Sequence, residues 1–339
     1  MGEKSQKGIF YKVLLGIFLF LAVAYVGVTI YMGAIQKQFI FPGHPLQGSE
    51  KVIDTHCQNT ENDRLIPITL PSGTKTFLRI LTQPGVQAAE TGPFTETAAE
   101  KPLENGEEAA AVPTSPESAS GPEIAESPQT EKAGPVVTPT VLFIYGNMGC
   151  LAWCDPMLQE LYKQGANVAC IEWPGFGVAG GDASEQECYE AEQAAYDYLT
   201  GTEKIDPKTL YVMGHSLGTG PAADLASKNP VAGVILASGY TDIGAVAQNF
   251  YPYLPCKLVV VHRFATIKKI PSIQAPILFI HSANDTIIPY WMSEKNFEVA
   301  QKAGKNVDFL RLKEAGHDLF FDFPESPGVW ERINAFIHP

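Results

Sequence analysis

Basic residues are few and scattered in this chain. Lys and Arg number 24 against 37 Asp and Glu, a net charge of −13 over 339 residues, and nowhere do they gather into the patch that phosphate binding requires. Nucleic acid is excluded as a partner on that ground. The six cysteines (57, 150, 154, 170, 188 and 256) show no metal-ligand spacing with histidine, and Cys150 and Cys154 are too solitary for a zinc site. No metal centre is expected, and most of these thiols should be buried. An exported chain could pair some of them, but the spacing assigns no pair. Internal repeats are absent as well.

Two stretches lack something locally. Val13 to Ile35 holds no charge over 23 residues, long enough at about 1.5 Å per residue to cross a hydrocarbon core of about 30 Å. This predicts a transmembrane helix at 13–35 after a short tail at 1–12. A cleaved signal peptide has a shorter apolar core, roughly 7 to 15 residues, before a small-residue site, whereas this run ends in Tyr31-Met32-Gly33. Lys4, Lys7 and Lys12 precede it and only Lys37 follows closely. The positive-inside bias therefore predicts a cytoplasmic N-terminus with the body of the chain on the opposite side.

Between Pro84 and Pro139 the deficit is of cations and aromatics: ten Glu face Lys101 and Lys132, and Phe94 is the only aromatic residue. Such a stretch cannot bury enough apolar surface to offset chain entropy. It is expected to be a disordered acidic insertion at 84–139 within a domain spanning 36–339. The apolar runs before it, Leu65 to Leu70 and Thr76 to Leu81 around Pro71-Ser72-Gly73-Thr74, form only a hairpin, which is too small to stand alone.

From Thr140 onward the pattern is regular. Strands are predicted at Val141 to Tyr145, Asn167 to Glu172, Leu210 to Met213, Val231 to Ala237, Ile277 to His281 and Val307 to Leu312. Helices fall between and after them. One opens with Asp155 as cap and Pro156 at its first position, another with Ser184 and Glu187 as a capping box, and others cover Thr219 to Lys228, Trp291 to Ala303 and Val329 to Ile337. Repeated strand-helix alternation predicts an α/β fold with a mostly parallel sheet covered on both faces.

Gly214-His215-Ser216-Leu217-Gly218 lies where the third of those strands meets its helix. A serine forced into a sharp strand-to-helix turn needs flanking residues without side chains, which Gly214 and Gly218 supply. Such a serine, aimed off the sheet edge, points to acyl transfer and needs a base and an orienting acid. Asp285, just past the strand ending in Ile280, and His317, in Ala315-Gly316-His317-Asp318 after Leu312, sit at strand ends that converge on the same edge. The chain order is Ser, Asp, His. Asp242, in Tyr240-Thr241-Asp242, is the alternative acid, whereas Asp182 reads as a turn residue. His215 is expected to point away from the reacting centre.

Gly146-Asn147-Met148-Gly149 comes after an earlier strand, so the N–H groups of Asn147 and Leu217 are the candidate oxyanion donors. Gly175-Phe176-Gly177-Val178-Ala179-Gly180 matches a dinucleotide fingerprint. Its helix starts only at Ser184, too late to cradle a pyrophosphate, so no nucleotide or other cofactor is expected.

These segments, with Trp173-Pro174-Gly175-Phe176-Gly177 and the stretch from Ile280 to Pro289, resemble the α/β-hydrolase superfamily. They look like its membrane-anchored ABHD and Bem-type branch of serine hydrolases. The resemblance implies an α/β-hydrolase fold with Ser216 as nucleophile, Asp285 as acid, His317 as base, and Asn147 with Leu217 as oxyanion donors. Where that branch has His-Gly-Asn after the third strand, this chain has Tyr145-Gly146-Asn147, which leaves the backbone donor but changes the pocket wall. The acidic insertion is a second departure.

The expected reaction is hydrolysis of an ester or thioester through an acyl-enzyme, on lipid or acylated-protein substrates. A serine peptidase of the same fold, or a catalytically silent membrane-tethered interaction protein, are the alternatives. Thr241 to Gln274 is too short for a large lid domain, which leaves an open pocket. Its Phe250, Tyr251, Tyr253, Leu254, Val259 and Phe264 are candidates for an acyl-contacting wall.

Overall fold

A computed structural model describes residues 2–42, 57, 60–85 and 138–339. Helix α1, Gly2–Ile40, opens the chain. Within it, Tyr11–Ile40 is long and apolar enough to cross a membrane by length and composition. This stretch encloses the expected span at 13–35. The acidic insertion expected at 84–139 lies outside the described residues from 86 to 137.

Strands β1 (Asp63–Thr69) and β2 (Lys75–Leu81) form the expected antiparallel hairpin. The series continues with β3 (Thr140–Ile144), α2 (Asp155–Lys163), β4 (Asn167–Ile171), α3 (Glu185–Asp197), β5 (Leu210–His215), α4 (Thr219–Lys228) and β6 (Gly233–Ala237). It ends with α5 (Ile243–Phe250), α6 (Cys256–Val259), α7 (Thr266–Lys269), β7 (Ile277–Ser282), α8 (Trp291–Lys302), β8 (Val307–Leu312) and α9 (Ser326–Ile337).

The eight strands make one sheet in the order β1-β2-β4-β3-β5-β6-β7-β8. Pairings involving β2 are antiparallel, and the rest are parallel. Every residue of β3, β4, β6 and β7 is buried. Continuous apolar strands of this kind require cover on both faces. The sheet order is what positions the site, because the carboxyl ends of β3, β5, β7 and β8 all open on one edge.

Beside the β2–β4 pairing, a buried cation ties the hairpin to the body. Arg79 donates to both carboxylate oxygens of Asp63, each at 2.9 Å, and to Asp155 at 2.7 Å. That duty displaces Asp155 from the role of cap: Cys154 takes the cap position without a side-chain bond, and Asp155 is the first helical residue. Of the capping box expected on α3, the N-cap half forms, with Ser184 Oγ accepting from the Glu187 N–H at 3.1 Å. The segment from Thr241 to Gln274, expected to be too short for a large lid domain, carries short helices. It folds as α5, α6 and α7, and Asp242 caps α5 through the Ala245 N–H at 3.0 Å. All six cysteines are buried.

Candidate active site

Ser216 sits between β5 and α4 with φ at +52°, the left-handed region a non-glycine residue adopts only under constraint. The constraint is visible in its neighbours. A Cβ on Gly218 would collide with the carbonyls of Ile144 and Tyr145, and one on Gly214 with Gly218 and Ala222. The two glycines therefore admit the end of β3 and the first turn of α4 against the serine. The Thr219 hydroxyl donates to the Ser216 carbonyl at 2.7 Å, and Tyr240 Oη donates to the Leu217 carbonyl at 2.9 Å. The turn is thus held from two further directions.

Ser216 Oγ lies 2.9 Å from His317 Nε2, and His317 Nδ1 lies 2.8 Å from Asp285 Oδ2. Asp285 Oδ1 accepts the N–H groups of Ile287 and Ile288, both at 2.8 Å. Burial opposes ionisation of this carboxyl, yet the donors from His281 and His317 and the backbone hold it well below the usual carboxylate range. Asn284 ties the two loops together, its Oδ1 accepting from the Gly316 N–H at 2.7 Å. A serine hydroxyl bonded to an imidazole, whose other nitrogen is held by a buried carboxylate, can deliver an alkoxide equivalent to a carbonyl carbon. Asp242, the alternative acid, instead faces Arg263, 2.7 Å from Nη2.

Four residues around these groups carry no matching sequence expectation. His281, four residues before Asp285, is fully buried. Its Nε2 is 3.0 Å from Asp285 Oδ2 and 3.1 Å from the Ile288 carbonyl, so that nitrogen bears a proton, since both neighbours only accept. Its Nδ1 meets Ser293 Oγ at 2.6 Å. The i to i+4 spacing across the strand end is the one trace of this contact in the sequence. Ser238, at φ +49°, donates its hydroxyl to the His317 carbonyl at 2.8 Å. His215 corrects its expectation: rather than pointing away, its ring lies 5.3 Å from that of His317, and its Nε2 donates to the same carbonyl at 3.2 Å. Burial, and then repulsion from His317, push the His215 imidazole down to about 3.

Fourth is Glu172, behind the turn at Gly146. It accepts the Tyr145 hydroxyl at 2.8 Å and the Leu151 N–H at 3.1 Å, bracketing Gly146 to Gly149. Burial pushes its carboxyl up to about 7. The turn passes so close to the serine that a Cβ on Gly146 would stand 3.1 Å from Ser216 Cβ. Gly175 and Gly177, of the fingerprint-like loop, adopt φ of +75° and +46°, and their missing side chains make room for Ala183 and Glu172.

Two cavities meet at Ser216, Asn147 and Ile287. One, of about 400 Å³, includes His317, Asp318, Trp153 and Tyr145 in its wall. The other, of about 260 Å³, is lined by Leu217, Val246, Ala247, Phe250 and Tyr251, together with Phe39 and Ile40 from the end of α1. Of the expected acyl wall, Phe250 and Tyr251 face this cavity. Phe264 instead packs in the core against Phe41 and Tyr189.

A family model described as the α/β-hydrolase fold matches residues 139–255. An uncharacterized protein of Mycobacterium tuberculosis is 32% identical over 157 residues, covering 46% of this chain and 56% of that protein. Lysophosphatidylserine lipase ABHD12 of Danio rerio is 27% identical over 230 residues, covering 59% of each. The chain thus spans less than two thirds of the length of either relative. An esterase of Pyrococcus furiosus superposes with a TM-score of 0.56 at 16% identity, over 86% of this chain and 94% of its own, a likeness of fold. By sheet order, matched region and relatives together, the chain has the α/β-hydrolase fold and is related to hydrolases of the ABHD type.

Proposed function

We propose that the protein is a membrane-anchored serine hydrolase that cleaves carboxylic esters or thioesters of lipid or acyl-protein type. The observation that carries this reading is the unbroken relay from Ser216 Oγ through His317 to Asp285, set against an apolar cavity. His317 Nε2 takes the Ser216 proton as Oγ attacks the substrate carbonyl, and Asp285 stabilises the imidazolium that forms. The N–H groups of Asn147 and Leu217 receive the oxyanion. The imidazolium then protonates the leaving group, an acyl-enzyme remains on Ser216, and a water activated by His317 releases the acid.

That proton path assigns the two cavities. The leaving group lies on the side that contains His317, and the acyl chain lies on the apolar side. The lysophosphatidylserine lipase among the relatives favours a lipid ester. Helix α1 is the anchor of a hydrolase domain spanning 36–339 with the insertion at 84–139. The lysines before the apolar run put the N-terminus in the cytoplasm and the domain across the membrane.

The test is fluorophosphonate labelling of the full chain beside Ser216→Ala, with hydrolysis of esters from four to sixteen carbons. Labelling and turnover confined to the wild type support the reading. Equal turnover by both proteins ends it.

A further inference from the structure

Helix α1 does more than tether. Its end is built into the domain: Phe41 packs against Phe176, His262 and Phe264, and Lys37 pairs with Asp182. Further back along the apolar run the contact continues. Gln36 Nε2 donates to the Val259 carbonyl at 3.2 Å, and its Oε1 accepts the Val261 N–H at 2.7 Å. Tyr25 Oη donates to the Tyr253 carbonyl at 2.9 Å.

From Tyr25 to Gln36 the helix rises about 16 Å. The segment from Tyr253 to Val261 therefore lies beside the C-terminal half of the uncharged run, and a helix that spans the bilayer carries this segment down to the hydrocarbon. Tyr253, Leu258 and Val261, 88%, 86% and 70% exposed, suit that medium, and the one exposed charge of the segment, Lys257, stands on a stem of the kind that extends its ammonium to the interface.

Between α1 and this segment runs a third cavity, of about 80 Å³, lined by Met32, Gly33, Leu254 and Val259. Of its polar wall residues, Thr29 and Gln36 are already engaged. The Thr29 hydroxyl donates to the Tyr25 carbonyl, and the Gln36 amide is held by Gly33, Val259 and Val261. An apolar occupant is what such a wall accepts. The cavity shares Phe39, Ile40, Ile243, Ala247 and Tyr251 with the apolar cavity at Ser216, so the two adjoin across those side chains and together mark a path from the serine toward the face of α1.

We propose that this path is an acyl slot open to the bilayer: the chain of a membrane-resident ester lipid enters sideways between α1 and the Tyr253 to Val261 segment, which brings its carbonyl to Ser216. The inference rests on the hydrolase reading and names its substrate class, a long-chain ester taken from the membrane. The head group then occupies the cavity on the His317 side.

The test uses the full chain in phosphatidylcholine vesicles. Gly33→Trp places an indole in the slot from a position where an added Cβ meets only Val259 Cβ, at 3.9 Å. The ratio of kcat/KM for a sixteen-carbon over a four-carbon ester is expected to fall at least tenfold. That ratio does not depend on how much of the variant folds, and a value within twofold of wild type overturns the slot.

A second measurement needs no turnover. A fluorescent dye on the thiol of Leu258→Cys, in a Ser216→Ala background where the native cysteines stay buried, is expected to be quenched by lipids bearing a nitroxide on the acyl chain. Quenching by aqueous iodide instead overturns the bilayer contact. Should the wild type neither label with fluorophosphonate nor turn over any ester, the hydrolase reading falls, and the acyl chain at Ser216 falls with it. The dye still decides the membrane contact in that case.

Discussion

The two sides of Ser216 are built by different physics. Toward β7 and β8, His317, Asp285 and His281 meet at 2.8 to 3.0 Å, and the Asp285 carboxylate has both oxygens engaged. Toward α1 and α5, Ile40, Ile243, Val246 and Ala247 bring no polar side-chain atom to the cavity. Hydrogen bonds are short and directional, so one altered atom abolishes what they do. Apolar packing tolerates changes of shape and registers them as graded differences in fit. On the proposed reading, reaction and chain-length selectivity are therefore separable, and each can be attacked from its own side.

The comparison breaks most visibly at the serine. Ser216→Ala is expected to lower kcat by about 10⁶-fold, the scale of losing a nucleophile in a serine hydrolase, read as single-turnover hydrolysis of a chromogenic ester. Asp285→Asn keeps the shape but loses the charge that holds the His317 tautomer, and a fall of about 10⁴-fold is expected in the same assay. A loss under tenfold would show that another group, such as Asp242, orients the histidine.

His281→Asn sharpens the contrast further. It removes a buried donor to the Asp285 carboxylate, and a hydrogen bond to a charged group contributes about 1.5–3 kcal/mol. A fall of tenfold or more in kcat is expected, with KM little changed. Equal effects on long and short esters would keep His281 on the chemical side, whereas a chain-length effect would move it to the other.

On the apolar side, Val246→Ala removes two methylene equivalents and is expected to change kcat/KM by about 1–1.5 kcal/mol for a long-chain ester and less for a short one. The smallest effect concerns stability. Burial pushes Glu172 up to about 7 and Glu192 up to about 8. Folded values raised above the unfolded one mean that the stability they contribute is complete below the ordinary carboxylate range and lost as pH rises through 7 and 8. Glu192→Gln keeps the acceptor for Trp173 Nε1, 2.7 Å away, and removes the charge. Between pH 5 and 8.5 the melting temperature of the wild type is expected to drop by several degrees more than that of the variant.

What could be read from the chain divides along the same line. Ser216, Asp285 and His317 each stand in a short local pattern at the end of an apolar strand, and the parallel sheet brings such ends to one edge whatever fills the rest. The apolar helical run at 13–35 was legible for a similar reason, since a run without charge needs no partner to be recognised. Asp155 was misplaced by one position because its carboxylate is claimed by Arg79 on a distant strand, a contact no local rule contains. The helices within Thr241 to Gln274 were not assigned from the sequence, since α6 and α7 have only four residues each, below the length at which periodicity speaks.

The sequence by itself determined the strand-helix alternation, the constrained serine turn, the order Ser, Asp, His, and the apolar N-terminal run. These arise from local backbone chemistry and from periodicity, which neighbours in the chain settle among themselves. Only the tertiary structure decided that His281 buttresses Asp285, that Glu172 sits behind the turn at Gly146, and that the far end of α1 walls the cavity at Ser216. Those contacts join residues up to 228 positions apart, as between Tyr25 and Tyr253. Such pairs are selected by how packed elements meet, of which a one-dimensional pattern keeps at most a spacing, as between His281 and Asp285.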